Sequence, residues 1–260
     1  KNMYEFIIIY TTNKKYNYLK STFAPPDVLY SLLFGKFNKG RITKPYLSEQ
    51  HKFRGLLLQL NLSNDWFTNN IPFWLYAFNK YNVKEKKKLN ILEIGSWEGL
   101  SSYFILHSLP NANLTCVDTW EGADEHKSGD ATTKDALSKI ETSFDKNLLP
   151  FKNRLTKYKS TSFSFFNDNP KEKIFDMVYI DGSHHCDDVI IDAIKSFQML
   201  KVGGIMIFDD YLWQYYPRDI DNPAAAINVF LKLKEGSYKV VRVYYQLIIE
   251  KISDNNLLVP

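Results

Sequence analysis

The chain has 260 residues, 45% hydrophobic and 24% charged, so it can bury a sizeable core, which excludes disorder, collagen and coiled coil as whole-chain descriptions. Its net charge of +4, from 33 basic and 29 acidic residues, is too balanced to imply a nucleic-acid partner. No apolar run approaches the roughly 20 residues that span a bilayer, and two cysteines, Cys116 and Cys186, cannot build a disulfide framework, which fits a reducing, cytoplasmic location.

In chain order, Phe6 to Tyr10 is a strand-sized apolar run. The chain begins with Lys1 rather than Met, read here as the mark of an excised domain or a processed chain. Without a signal peptide, the sequons at Asn61 and Asn113 are chance matches. Residues 1–89 carry many aromatics and no strand–helix alternation, and are expected to form a mostly helical cap. Phe53 to Leu60 and Pro72 to Asn79 read as short helices, the second opened by Pro72 in its first turn. This cap is either intramolecular or a homo-oligomer contact; the sequence leaves both open. Lys84, Lys86, Lys87 and Lys88 form a solvated linker into the main domain, 90–260.

From residue 90 strands and helices alternate. Asn90 to Ile94, Asn113 to Asp118, Arg154 to Lys159, Phe175 to Ile180 and Ile205 to Phe208 read as strands. Leu100 to Ser108, Lys134 to Lys146, Asp187 to Leu200 and Pro223 to Leu233 read as helices, the third stopped by Gly203-Gly204. Tyr238 to Tyr245 and Gln246 to Ile252 read as an antiparallel pair. The alternation predicts an α/β fold with a mostly parallel sheet, and ligands beyond the carboxyl ends of its strands.

The first candidate site is Glu93-Ile94-Gly95-Ser96-Trp97-Glu98-Gly99-Leu100-Ser101, a strand–turn–helix. Gly95 permits a tight turn and close backbone approach. The helix start offers free N–H groups to an anion. Asp118, ending the next strand, can accept hydrogen bonds from ribose hydroxyls. Trp97 takes the middle position of the dinucleotide pattern, which argues against a packed pyrophosphate and for a smaller zwitterionic cofactor tail.

Together LEIGSWEGLSS, CVDTWEG, DGSHH and GGIMIFDDY resemble class I methyltransferases that use S-adenosylmethionine (SAM), nearest to the catechol-type and sugar O-methyltransferases. The resemblance covers about 63–252 and implies a Rossmann-like fold, a seven-stranded sheet with an antiparallel C-terminal strand. It places Glu93, Gly95 and Ser101 at the methionine end of the cofactor, Asp118 at the ribose with Thr119 next, Trp120 as a wall of the adenosine pocket and Ser160 at the adenine, and counts Ser96, Trp97, Gly99 and Asp181 among the cofactor-binding residues.

The same resemblance sets Asp181 beside Asp209 and Asp210, on adjacent strand ends. Three converging carboxylates are costly unless compensated, and hard oxygens favour Mg2+ or Mn2+. The base of such enzymes lies three residues after the first Asp, as Lys in catechol enzymes and His in sugar enzymes. Here it is His184, so the resemblance implies a metal-assisted O-methyltransferase acting on a hydroxyl of a sugar, in a glycan or glycosylated metabolite, within a longer glycan-building enzyme. A soft-metal cluster at His184-His185-Cys186 is disfavoured, because consecutive residues rarely share one tetrahedral site. Glu121 to Asp130 is placed as a lid; His126 in it either touches substrate or is an ordinary loop residue. Tyr211, Trp213, Tyr215 and Tyr216 either stack on the acceptor or pack beneath the cap. The rival readings are a metal-independent SAM methyltransferase of a small molecule and a SAM-fold binding module without turnover. A nicotinamide-dependent dehydrogenase is opposed by Trp97.

Overall fold

A computed structural model describes residues 14–129, 132–169 and 173–254. The apolar run at 6–10 and Asp130 of the expected lid lie outside the described residues. Among the described residues the N-terminal part supplies four α-helices, α1 (Lys14–Ser21), α2 (Pro26–Thr43), α3 (Leu47–Leu56) and α4 (Ile71–Lys80). Then follow β1 (Leu89–Ile94), α5 (Leu100–Ser108), β2 (Ala112–Asp118), the short α6 (Asp124–Lys127) and α7 (Lys134–Leu137), α8 (Ile140–Leu148), β3 (Leu155–Lys159) and α9 (Ser162–Asp168). The chain ends with β4 (Phe175–Ile180), α10 (Cys186–Met199), β5 (Leu200–Phe208), α11 (Pro223–Leu233), β6 (Tyr238–Val243) and β7 (Leu247–Lys251).

The seven strands form one sheet in the order β3-β2-β1-β4-β5-β7-β6. The first five are mutually parallel, and β7 runs antiparallel to both β5 and β6. Strand order reverses at β1, so β1 and β4 flank the crevice where such sheets bind ligands. Side chains alternate between two core layers, as a two-residue period demands. Leu92, Ile94, Val178, Ile180, Met206 and Phe208 face α10 and α11. Ile91, Met177, Tyr179, Ile205 and Ile207 face the layer of Trp74, Phe104 and Phe144. The N-terminal helices are shared between the layers: Leu19, Val28 and Leu32 pack into the first, Phe53 and Trp74 into the second.

Three expected elements differ in detail. The helix read over Phe53 to Leu60 is α3, Leu47–Leu56, followed by a 3-10 turn at Leu57–Gln59. The helix read over 134–146 is broken into α7 and α8, with the Ser138 hydroxyl bonding back to the Asp135 carbonyl at the break (2.8 Å). The Gly203-Gly204 pair does not stop a helix: α10 has already ended at Met199, and the glycines lie inside β5. Gly203 has φ +78°, and the β4–β5 register shifts between Phe175 and Met177, so the pair forms a bulge.

One buried group sets a pH dependence. Asp192 on α10 is 1% exposed, and burial pushes its carboxyl up to about 7, with Asp188 adding to the rise against a hydrogen bond from Ser162. The folded protein therefore holds this proton up to about pH 7, while the unfolded chain releases it near pH 4. Stability falls as pH rises across that window and stays lower above it. Asp192→Asn is expected to remove the loss, gaining roughly 2–4 kcal/mol above pH 7 in denaturant melts and nothing at pH 4. Equal shifts at both pH values would refute the assignment.

Candidate functional site

The loop after β1 is built around a close strand contact. Gly95 has φ +80°, and a Cβ there would lie 1.9 Å from the Asp181 carbonyl oxygen, so only glycine lets the ends of β1 and β4 meet. Glu93 is fully buried behind the loop, accepting from Ser96 Oγ (2.8 Å), Ser101 Oγ (2.6 Å), Cys116 Sγ (3.2 Å) and the Ser102 hydroxyl. Burial raises its pKa against those donors. It braces the loop from within, and Ser101 is turned toward it.

Asp118 fastens the loop from β2. Its Oδ2 accepts the N–H groups of Ser96 (2.7 Å) and Trp97 (2.9 Å), and its Oδ1 that of Trp120 (2.6 Å). Thr119 Oγ1 accepts the Glu121 N–H (3.2 Å). Trp120 is packed inward on Phe144 and donates from Nε1 to the Trp97 carbonyl (2.9 Å). Gly99 has φ +82° and a packing role, since a Cβ there would strike Leu148 Cδ2 at 2.3 Å. Ser160 donates its N–H to the Asp118 carbonyl (3.0 Å). Two enclosed polar atoms around this loop have no hydrogen-bond partner: Ser160 Oγ and Trp97 Nε1. Enclosed orphan groups beside a glycine turn and a strand-end acid fit a nucleoside with an amino-acid tail.

The second group sits at the ends of β4 and β5. Their parallel pairing sets Ile180 opposite Phe208, which brings Asp181 next to Asp209 and Asp210. Asp210 has φ +52°, a conformation that ordinary side chains rarely adopt and that aims its carboxylate at His184. His184 Nε2 lies 2.9 Å from Asp210 Oδ2 and 3.9 Å from Asp181 Oδ1. One ligand atom from each of Asp181, His184 and Asp210 falls within 4.8 Å of the others, a donor set that fits a hard divalent cation.

Asp209, expected as a ligand with them, lies outside that trio. Its Oδ2 accepts from Gln246 Nε2 (2.8 Å) and from the Tyr179 hydroxyl, and its Oδ1 from the Asp210 N–H (2.8 Å). Tyr179 also stands 2.8 Å from Asp181 Oδ2. A phenol has one proton to donate. Burial, then the charges of Asp181 and Asp210, push the Asp209 carboxyl far above the carboxylate range. Burial and Asp210 push Asp181 up to about 6. Burial also acts on Asp210, but His184 outweighs it and holds that carboxyl below its ordinary value.

His185, Cys186 and Asp187 also converge within 4.8 Å. They open α10 at the surface, and burial together with Asp187 pushes the Cys186 thiol up to about 11, which opposes a thiolate ligand.

Aromatic side chains roof both groups. Trp97 stacks on His126 of α6 with ring centres 4.3 Å apart, and Trp66 leans on both rings at 5.7 Å. His126 Nδ1 accepts the Ala123 N–H (3.0 Å). Trp213 lies 4.6 Å from the His184 ring, and Tyr215 stacks on Trp213 at 5.3 Å. Tyr216 donates to Asp124 (2.9 Å), and the Ser128 and Tyr215 hydroxyls are 3.3 Å apart, so the segment 124–128 is clipped to 215–216. Tyr211 is core, fully buried with its hydroxyl on Asn228 (2.5 Å). Tyr179, Gln246 and Trp66 were not legible as site residues. They reach the site from a strand interior, from the C-terminal hairpin and from the N-terminal segment.

Residues 92–211 match a family model described as a methyltransferase domain. The fold is similar to the O-methyltransferase from Bacillus cereus in complex with SAH (13% identity, 87% of this chain and 100% of that chain, TM-score 0.50). It is similar to TomG from Streptomyces achromogenes, an O-methyltransferase of tomaymycin synthesis in complex with SAM (14% identity, 78% and 89% covered, TM-score 0.50). It is also similar to MycE, a methyltransferase of the mycinamycin pathway in complex with Mg, SAH and mycinamycin VI (16% identity, 76% and 53% covered, TM-score 0.51). At these identities the likeness is one of fold. No curated protein matches the chain.

Proposed function

We propose that this chain, a SAM-dependent methyltransferase with the class I fold, methylates a hydroxyl of a sugar in a glycan or glycosylated metabolite, with His184 as general base. The carrying observation is the pair of His184 Nε2 and Asp210 Oδ2, 2.9 Å apart beside Asp181 at the end of the crevice. The loop from Gly95 to Gly99 and Asp118 would hold the cofactor, which supplies an electrophilic methyl group. Asp181 and Asp210 would hold a divalent cation, with Asp209 behind them; when bound, such a cation lowers the pKa of a hydroxyl on it.

The residues divide the work. Asp210 orients the imidazole, and His184 takes the acceptor's proton, worth roughly 10²–10⁴ in rate. Trp213 and Tyr215, stacked beside His184, offer a flat apolar wall that suits the apolar face of a sugar. The lid segment clipped to them keeps water from the reacting atoms. Positioning is the larger contribution, since effective molarities of about 10⁵–10⁸ M follow from in-line placement. Both cysteines are free thiols, in keeping with a cytoplasmic setting.

The test is methyl transfer from SAM to a panel of vicinal-diol glycosides, with added Mg2+ or Mn2+ and with chelator. Turnover is expected with metal, and a fall of at least about 10²-fold after chelation, reversed by adding metal back. Full activity in excess chelator would select the metal-independent reading. Absence of SAM or SAH binding by calorimetry would end both.

A further inference from the structure

We propose that the groove between α2 and β6 is a second binding site, for a small organic anion whose planar apolar body carries a carboxylate or phosphate. This reading is independent of the methyl-transfer chemistry. The groove has a volume of about 770 Å³, within the range of small-molecule sites, and lies along the edge strand of the sheet. Tyr30, Phe34 and Gly35 line it from α2, and Tyr238, Lys239 and Arg242 from β6.

Arg242 is the reason to expect an anion. It is 6% exposed, yet no carboxylate of the described residues pairs with it. Among them its hydrogen bond runs from Nη2 to the Gly35 carbonyl (2.5 Å), and its Nε is enclosed without a partner. A guanidinium carries five N–H donors in a fork matched to carboxylate and phosphate. Buried charges are paired in stable proteins; among the described residues this one has neutral neighbours, the ring of Phe73 5.6 Å from Cζ and the phenols of Tyr76 and Tyr244. Desolvation accordingly depresses the guanidinium pKa.

Gly35 sets α2 close against β6. A Cβ there would lie 3.3 Å from Cζ and Nη2 of Arg242 and from the Val243 carbonyl oxygen, so a larger side chain would crowd the guanidinium and the strand. The remaining charges of the groove favour the same ligand sign. Lys239 is cationic, and Asp27 is engaged by the Tyr238 hydroxyl. The rings of Tyr30 and Phe34, 4.1 Å apart, make the apolar wall.

The probes are phenyl phosphate and benzoate, titrated calorimetrically into the whole chain, with SAH affinity as the control for folding. Wild type is expected to bind at least one of them saturably, one to one. Arg242→Met should weaken that binding by roughly tenfold or more while retaining SAH affinity. Tyr30→Ala, at an exposed position, should weaken the aryl probe by about threefold and leave inorganic phosphate unaffected. No saturable binding by wild type overturns the proposal, as does unchanged affinity in Arg242→Met. If the Met variant fails to fold, unchanged aryl affinity in Tyr30→Ala overturns it. Binding of an acidic peptide in place of both probes would make the groove a protein-docking surface and would also overturn it.

Discussion

His184→Ala is expected to lower kcat by roughly 10²–10⁴ while SAH affinity stays within about threefold. The expectation follows from where the imidazole stands. The turn after β4 carries it back over the strand ends, where Asp210 meets Nε2 at 2.9 Å and the Trp213 ring packs at 4.6 Å. Alanine removes the proposed proton acceptor and leaves the Gly95–Gly99 loop and Asp118 intact. A base acts only in the transition state, so kcat and kcat/KM should fall together. Steady-state kinetics on an acceptor with the variant, with calorimetric SAH binding, checks this. An unchanged kcat would remove His184 from the chemistry, and a lost SAH affinity would make it a structural residue.

Gly95→Ala is the variant expected to damage the fold most, by about 5 kcal/mol, a large part of a typical domain's stability. Two costs combine. The new Cβ would sit 1.9 Å from the Asp181 carbonyl oxygen and 2.4 Å from its carbon, and backbone cannot swing aside as a flexible side chain does. The φ of +80° adds strain of its own. Relief requires parting the ends of β1 and β4, which carry Glu93 on one side and Asp181 on the other. Urea melts and SAH calorimetry check the outcome. A variant with wild-type stability would show that the loop and Asp181 are not in contact in solution.

The sheet was legible in the sequence because its central strands are short apolar runs buried on both faces, each closed by Gly95, Asp118, Asp181 or Asp209. The strand-end acids were legible for the same reason, since parallel strands bring their carboxyl ends to one edge. Side-chain direction was not legible. The resemblance placed Glu93 and Ser101 at the cofactor; in the structure they bond to each other with Ser102 and Cys116, and Cys116 lies opposite Glu93 in the β1–β2 register. The resemblance also grouped Asp209 with Asp210, and the two carboxyls diverge. Asp209 turns to Tyr179 and Gln246, while Asp210, in its left-handed backbone, turns to His184. The Gly203-Gly204 pair misled because glycines end helices and form bulges equally well.

The bond from Gln246 to Asp209 has a consequence for how the enzyme matures. Gln246 also accepts the Trp74 indole N–H at 2.8 Å, across 172 positions of sequence, and stands at the head of β7. The acid cluster thus depends on the latest-synthesised part of the sheet and on an early helix at once. The Gly95 loop, between β1 and β2, needs only local crossovers, whereas the Asp209 end of the crevice waits for closure of a long loop. A nascent chain released before residue 246 would hold the Gly95 loop and Asp118 but not the finished acid cluster, so under the proposed function competence to bind precedes competence to react.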